Sequence, residues 1–597
     1  MLNARLYRAA LAPFVLALAI AAFSLQGRPP VLSSTLAPEA FQGQQAFAEM
    51  RELTRLFPSR RAGSAADGEL AQRVAGTIRG LGGTAGGGFA VRTEHFEGQT
   101  IDGARELSLL IAERPGSSSA SPIVIVAHRD AAAPRSEAEM SATATLLELA
   151  RVFSERETKR TMILVSTSGG SGGGAGAARL AEVLPRPVDA AIVIGDLADA
   201  HPRRPSVIAY SDGFGSGSLT LARTLEGSIE QQTGADPGAP SALGQVAHLA
   251  LPLAPGEEGA LNAAGVPAAL VQSSGEAGPA PAEPVSAEAL GAMGRAVLST
   301  VDALDGAPDL AQATQTGVVL QRKVLPEWAV SLLVAAGLLG PLLVATDGLA
   351  RARRRGLRPG RWVLWALSCA LPFLCCALLV YLLSVLGILQ GTPPLPVPGR
   401  DLSIGAAGVG VVVAVVLTFL LAWLLWGMLL QRLGWDSRPD AELAGLAVVT
   451  IVIPLALLVW VQDPYTALLL VPAAHIWLLL ASPELRPRRA GAAALVAAGL
   501  APLALIVAFY MHQLGLGAGA AAWTAVGLVA GGHVGPAGAL LWSVALGAAA
   551  AAVLVAVRGS ESLPAVLGDG SPSLSTRGPV SYAGPGSLGG TESALRR

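Results

Sequence analysis

The sequence predicts two parts: an α/β domain with a doubly wound, mostly parallel sheet and helices on both faces, followed by an all-α polytopic membrane bundle. Three observations predict this. The 597 residues are 52% hydrophobic and only 14% charged, with a mean hydropathy of +0.52, which is too apolar for a wholly water-soluble protein. Between residues 28 and 326, apolar runs of strand length alternate with amphipathic helical patterns. After residue 326, apolar stretches of membrane-spanning length recur.

The first segment is hydrophobic. Arg5 and Arg8 precede about 17 apolar residues, Ala9 to Leu25, a pattern typical of a signal anchor or of a cleaved signal peptide. No small-x-small cleavage motif precedes Gln26. Residues 1–26 are therefore predicted to remain as a transmembrane anchor.

Residues 27–326 carry the α/β pattern. "PIVIVAHRD" predicts a buried parallel strand, and "RSEAEMSATATLLELARVFSER" predicts a helix with Ser136 and Glu139 spaced as a capping box. "RTMILVST" and "DAAIVIGDLAD" predict two more strands, separated by a Gly-rich loop and a helix. Open α/β sheets bind ligands at the carboxyl ends of their strands, which is where His128, Asp130 and Asp196 stand.

Residues 327–557 predict about seven further spans. Their apolar stretches are 327–349, 362–389, 403–430, 442–461, 465–482, 490–510 and 536–557, which makes eight spans with the first helix. The Gly-rich stretch 515–538 is either one more span or a reentrant segment. The Gly/Ser/Pro-rich residues 558–597 are predicted to be a disordered tail.

The loops between the spans predict the orientation. Loops 351–361, 431–438 and 484–489 carry the arginines, and loops 390–401 and 462–465 carry almost none. By the positive-inside rule, the amino terminus and the tail are cytoplasmic, and residues 27–326 are extracytoplasmic. His475 is the ionisable residue near the middle of a span, where it either serves a function or packs neutral against a hydroxyl group.

The amino-acid composition limits the kinds of molecule that this chain is expected to bind. A net charge of −1 with dispersed arginines excludes nucleic acid and leaves the lipid bilayer as the evident partner. All three cysteines fall in one apolar segment, so the α/β domain has no disulfide framework. Its Ala/Gly/Arg/Pro-rich, lysine-poor composition indicates a high-GC bacterial genome. The loop Gly170 to Ala175 formally fits a dinucleotide fingerprint, but the acidic residue of that motif is not clearly placed.

Four stretches carry a family resemblance. They are "LTRLFPSRRAGSAADGELAQRVAGTIRGLGG", "IVIVAHRD", "SATATLLELAR" and "GEEGALNAAGVPAALV", within residues 45–305. Together they resemble the bimetallic zinc aminopeptidases of peptidase clan MH, which include bacterial aminopeptidases, glutamate carboxypeptidase and the transferrin receptor. One helix before the domain and several after it are similar to the arrangement in membrane-bound members.

The resemblance implies roles for particular residues. His128 matches the first zinc ligand, Asp130 the carboxylate that orients its imidazole, and Asp196 the aspartate after the third strand. Where the family has its bridging aspartate stands Ala138, between Glu137 and Glu139. Gly169 and Gly170 replace its paired glutamates, and "GEAGPAPAEP" lacks its final histidine.

Two functions follow from this degenerate pattern. The first is a module without cofactor or catalysis, which binds a peptide, an envelope component or a partner protein, and in which His128 and Asp130 hydrogen-bond each other. The alternative is a membrane metallopeptidase with one zinc ion, held by His128, Asp196 and either Glu137 or Glu139. Such a site lacks the general base that activates water. A transporter is a third possibility, but the scarcity of charge in the spans argues against ion coupling.

Overall fold

The computed structural model describes residues 4–82, 88–201, 205–213, 217–237, 241–307, 317–389, 396–435, 441–481 and 489–558. The predicted disordered tail lies almost wholly outside the described residues. The strands are β1 (Gln26–Gly27), β2 (Ala90–Thr100), β3 (Gly103–Arg114), β4 (Ile123–His128), β5 (Met162–Thr167), β6 (Ala190–Ile194), β7 (Ser206–Ile208), β8 (Ala268–Gln272), β9 (Gly317–Leu320) and β10 (Lys323–Pro326). The helices of the amino-terminal half are α1 (Ala4–Ala9), α2 (Leu11–Phe23), the 3₁₀ helix η1 (Pro38–Ala40), α3 (Gly43–Leu56), α4 (Ala65–Gly80), α5 (Glu137–Ser154), α6 (Ala175–Val183), α7 (Leu219–Thr233), α8 (Ala242–Ala250), α9 (Glu257–Ala263) and α10 (Ala287–Gly306). Those that follow are α11 (Glu327–Arg354), α12 (Pro359–Ser368), α13 (Leu371–Val385), α14 (Ala406–Arg432), α15 (Ala441–Gln462), α16 (Pro464–Ile476), the 3₁₀ helix η2 (Trp477–Ala481), α17 (Arg489–Gln513), α18 (Ala518–Ala530) and α19 (Pro536–Arg558).

The main sheet has seven strands in the order β2-β3-β5-β4-β6-β8-β7. Only three of its six pairings are parallel, β5 with β4, β4 with β6 and β6 with β8, so the prediction of a mostly parallel sheet is wrong and the sheet is mixed. The strands of this sheet that the sequence did not predict include β8 and the two strands of the long β2–β3 hairpin. Strand β2 lies at an edge of the sheet, and most of its residues are exposed or half-buried. Because antiparallel strands commonly face water on one side, β2 lacks the continuous apolar run of a central strand.

Helices cover both faces of this sheet, as predicted. Helix α5 follows β4, begins where Ser136 accepts a hydrogen bond from the Glu139 amide, and packs with α3, α4, α7 and α10 on one face. Helix α6 follows β5 and packs with α9 on the other face, through Ala177 and Leu180. The strands β4, β5 and β6 are buried between the two layers along almost all of their length.

Seven helical segments within the described residues are long and apolar enough to cross a membrane: 5–23, 327–354, 359–385, 406–432, 443–462, 490–513 and 536–557. The predicted span at 465–482 is shorter and consists of α16 followed by η2. At about 1.5 Å per α-helical and about 2.0 Å per 3₁₀ residue, the two together extend about 30 Å, close to the thickness of a bilayer's hydrocarbon core.

Helix α18 corresponds to the ambiguous stretch 515–538. Its 13 residues extend only about 20 Å. Just before it, the Leu514 carbonyl accepts a hydrogen bond from the Gly399 amide (2.8 Å), and just after it, His533 Nε2 lies 3.1 Å from the Pro252 carbonyl oxygen. Both ends therefore lie on the side of the bundle that faces the α/β domain, which favours the reentrant alternative over a further span.

The arginine-poor loops of the bundle contact the α/β domain. In loop 396–405, Arg400 Nη1 donates to the Gly278 carbonyl (3.0 Å), and after loop 462–465 the Thr466 hydroxyl donates to the Ala250 carbonyl (2.6 Å). These loops and the α/β domain are therefore on the same side of the bundle, as the charge distribution predicts. The side of the cell membrane on which they lie stays a prediction.

The amino-terminal helix is part of the bundle. Tyr7 OH lies 2.7 Å from His475 Nδ1, and His475 Nε2 lies 2.9 Å from the Gly337 carbonyl oxygen. That carbonyl lacks its helical partner because the residue four positions later, Pro341, has no N–H. His475 thus packs against a hydroxyl group, the second of its two predicted alternatives, and both of its ring nitrogens are satisfied.

Candidate functional site

The residues singled out in the sequence meet at one edge of the sheet. His128 ends β4, Asp196 lies two residues beyond β6, and Thr167 ends the neighbouring strand β5. Because these strands are parallel, their carboxyl ends face the same way. Asp130 and Asp196 are buried, whereas His128 is partly exposed.

Asp130 holds the loop after β5. One carboxylate oxygen accepts hydrogen bonds from the amides of Gly169 (2.9 Å) and Gly170 (3.1 Å), and the other accepts from the Ser171 amide (3.1 Å) and hydroxyl. The hydrogen bond predicted between His128 and Asp130 is not among those made by the described residues. The amides of residues 169–171 face a carboxylate of the chain itself, so these three amides are not free to bind the phosphates of a dinucleotide.

Gly170 lies between the side chains of His128 and Glu257. A Cβ atom at this position would be 2.4 Å from His128 Cβ and 3.1 Å from Glu257 Cδ. Gly169, with a φ of +86°, adopts a backbone conformation that favours glycine. A glutamate side chain at position 170 would collide with His128, so the present path of the backbone leaves no room for a side chain there.

Glu257 is a site residue that sequence reasoning missed. It is the first residue of α9, only 2% exposed, and neither of its carboxylate oxygens has a hydrogen-bond partner among the described residues. Burial raises its pKa to about 8, while the nearby Thr167 hydroxyl acts in the opposite direction. The signal in the sequence was the acidic pair in "GEEG", but helix starts often carry acids, so it did not by itself indicate a site.

Glu139 lies in a charged environment at the same edge. One of its oxygens is buried without a hydrogen-bond partner, and burial raises its pKa to about 8 against the opposing charge of Arg60. Arg60 is itself buried and donates to the carbonyls of Arg129 (3.0 Å) and Ser136 (2.8 Å). The charges of Arg400 and Asp401 also act on Glu139.

Two of the predicted zinc ligands, Asp196 and Glu137, each lie beside another side chain of the domain. Asp196 accepts a hydrogen bond from the Ser274 hydroxyl (2.6 Å), and burial raises its pKa to about 7. Glu137 lies 3.7 Å from Arg51 on the surface of α5. Within the described residues, no group of three or more His, Cys, Asp or Glu side chains is arranged to hold a metal ion, so His128, Asp196, Glu137 and Glu139 do not form one.

The bundle covers this edge with the segment 396–402. Val397, 1% exposed, lies within 3.7 Å of the position of a Cβ on Gly172, in the loop after β5. Arg400 donates to the carbonyls of Ala277 and Gly278, in the stretch where the resemblance places the family's final histidine. The pKa of Asp401 is raised by burial and lowered by Arg400 and Arg61. A segment of the helical bundle therefore borders the edge of the sheet that carries His128.

Comparisons with known proteins concern the α/β part. A scan against protein-family models finds no matching family, and a search of curated proteins finds no match. Among solved structures, the chain is similar to a zinc aminopeptidase from Bacillus subtilis (12% identity, 44% of this chain, 94% of that chain, TM-score 0.34). It is also similar to the LapA aminopeptidase of Legionella pneumophila (15%, 47% and 78%, TM-score 0.37) and to a glutaminyl cyclase of Porphyromonas gingivalis (16%, 44% and 98%, TM-score 0.33).

Proposed function

We propose that this chain is a membrane-anchored binding module: an extracytoplasmic, aminopeptidase-like domain without peptidase activity, fixed to a multi-pass bundle of the cell membrane. The observation that carries the proposal is the packing at Gly170. The side chains of His128 and Glu257 fill the space that a glutamate side chain at position 170 would need. A zinc site needs about three protein ligands, and the donor set around His128 does not fit that requirement.

The edge of the sheet is nevertheless suited to binding. Glu139, Asp196 and Glu257 each have at least one buried carboxylate oxygen without a hydrogen-bond partner among the described residues. Unsatisfied buried acceptors are costly, and a ligand that brings N–H or ammonium donors relieves that cost. This favours a peptide or an envelope protein, whose amino terminus supplies such donors, as the partner.

The alternative is a membrane metallopeptidase with one zinc ion. The observation that favours it is the closeness of His128 and Glu257, which flank Gly170 and offer one nitrogen and one carboxylate. It requires a third ligand that the described residues do not bring to this position.

Metal analysis of the full chain in detergent, purified with zinc in the buffers, separates the two. We expect a substoichiometric zinc content that is the same in the wild type, in His128→Ala and in the control His201→Ala, whose side chain is exposed. We also expect no chelator-sensitive hydrolysis of aminoacyl substrates. One equivalent of zinc, lost only in His128→Ala and accompanied by hydrolysis, would establish the metallopeptidase instead.

The proposed orientation is tested by labelling intact cells. In a chain whose three cysteines are replaced by alanine, a membrane-impermeant maleimide is expected to label Ser119→Cys, in an exposed loop of the α/β domain. It is expected to leave Arg353→Cys, in the arginine-rich last turn of α11, unlabelled until the cells are lysed. The opposite pattern would place the domain in the cytoplasm.

A further inference from the structure

A pocket lies where the α/β domain meets the bundle, away from the edge that carries His128. Its walls come from α7 and α8, from β7, and from the small antiparallel sheet in which β1, β10 and β9 lie side by side. The cavity has a volume of about 70 Å³. At roughly 10–15 Å³ for each enclosed water, this is room for a group of about five heavy atoms, such as a phosphate.

Two arginines, Arg28 and Arg223, line this pocket, and each has an N–H donor that makes no hydrogen bond to the described residues. The Nε atoms of Arg28 and Arg223 are buried and have no hydrogen-bond partner among the described residues. Arg223 Nη1 donates to Glu226 (2.7 Å), which balances one of the two positive charges. Burial, and then repulsion by Arg223, lower the pKa of Arg28, whereas the charges of Glu226 and Asp236 act in the opposite direction. An anion between them would relieve both the repulsion and the unsatisfied donors.

The rest of the lining is largely apolar. Val207, Leu219, Leu249, Val319 and Val324 form much of the wall around the two guanidinium groups. A small soluble anion makes no use of such a surface. An anion attached to a hydrophobic body does, because burying apolar surface is favourable at about 25 cal/mol per Å².

The pocket also lies close to the membrane boundary. Arg28 follows the end of α2 at Phe23 by five residues, and Val324 precedes the start of α11 at Glu327 by three. Phe23 and Trp328 are 93% and 52% exposed, as expected of aromatic residues in the interfacial belt. With at most about 3.6 Å per residue, both chain segments keep the pocket within about 18 Å of the ends of the spans, near the headgroup layer.

We propose that this pocket binds the phosphate of an anionic membrane phospholipid, with Arg28 and Arg223 as its ligands and the apolar wall against the upper part of the lipid. The proposal rests on the membrane anchoring proposed above but not on the function of the His128 edge. The size of the cavity admits the phosphate group. Binding of this lipid would fix the height and tilt of the α/β domain on the bilayer.

Native mass spectrometry of the full chain in detergent provides the test, with phosphatidylglycerol and phosphatidylcholine as probes. We expect retained phosphatidylglycerol adducts that Arg28→Gln and Arg223→Gln each weaken by at least about tenfold, because each loses charge-assisted hydrogen bonds. The matched control is Arg322→Gln, which removes the same charge nearby from an exposed side chain outside the pocket lining.

The outcomes separate the possible sources. Adducts that survive in Arg322→Gln but not in the two pocket variants support the proposal. Equal weakening in all three variants would indicate diffuse electrostatic attraction and overturn it, as would equal retention of the two lipids. A third arm adds inorganic phosphate alone and follows the melting temperature. Stabilisation by phosphate without lipid adducts would assign the pocket to a soluble anion and also overturn the proposal. Reconstitution of every variant into bilayers checks the anchoring separately.

Discussion

Replacing Asp130 by asparagine tests whether this carboxylate holds the loop after β5 or orients His128. Its two oxygens accept four hydrogen bonds from Gly169, Gly170 and Ser171. An asparagine keeps one acceptor oxygen and turns an NH₂ group toward two donors. Two charge-assisted hydrogen bonds are lost at about 1.5–3 kcal/mol each, so we expect the loop to be destabilised by about 3 kcal/mol or more.

Hydrogen exchange of the full chain in detergent measures this locally. A loss of about 3 kcal/mol corresponds to about 100-fold faster exchange of the amides of residues 169–171, if the loop opens independently of the rest of the domain. The matched control is Asp196→Asn, a buried aspartate at the same edge that accepts from the Ser274 hydroxyl instead. Unchanged exchange at 169–171 in Asp130→Asn, or equal acceleration in the control, would refute the assignment.

Three more predictions address other parts of the molecule. His475→Ala leaves the Gly337 carbonyl unpaired within the bundle, so we expect the free energy of unfolding to fall by about 1–2 kcal/mol. Tryptophan fluorescence reports on the bundle, because all ten tryptophans follow residue 326, and it should show a lower melting temperature. An unchanged melting temperature would contradict this role. Burial raises the pKa of Glu257 from 4.5 to about 8, so the folded chain binds the carboxyl proton more tightly than the unfolded chain does. The protonated carboxyl therefore contributes its full stabilisation below about pH 4.5, and this stabilisation is lost as the pH rises to about 8. Glu257→Gln is therefore expected to reduce the fall in calorimetric melting temperature between pH 5 and 8, and a fall as steep as in the wild type would be inconsistent with a buried carboxyl. Arg400→Ala removes the two hydrogen bonds that join the bundle to the stretch 275–280 and is expected to accelerate hydrogen exchange there; unaltered exchange would mean that the segment 396–402 does not hold this part of the cleft.

Much of the fold was accessible from the sequence because it depends on periodicity. The runs that became β4, β5 and β6 are buried on both faces and therefore continuously apolar, and the capping pair of Ser136 and Glu139 fixed the start of α5. The sheet's direction was less accessible. The β2–β3 hairpin adds two antiparallel pairings at one edge, and its exposed strand has a mixed pattern that periodicity alone does not assign.

For the candidate site, too, the sequence predicted some features and missed others. The sequence located His128, Asp130 and Asp196 at strand ends, since a strand end is a local property. It gave Asp130 the wrong partner, because the partner is chosen by the path of the loop at Gly169 and Gly170. Glu257 lies 129 residues from His128 along the chain, and only the fold brings the two to either side of Gly170.

By itself, the sequence predicted where the chain changes from the α/β pattern to long apolar helices, because hydrophobic length and charge along a segment are local quantities. It also determined that alanine stands at position 138 and glycine at positions 169 and 170, because residue identity is read directly. Only the tertiary structure decided what surrounds these positions: a loop held by Asp130, a buried Glu257 and a segment of the bundle beside this edge of the sheet. These are contacts between residues far apart in the chain, and their geometry follows from the packing of the whole fold rather than from any local pattern.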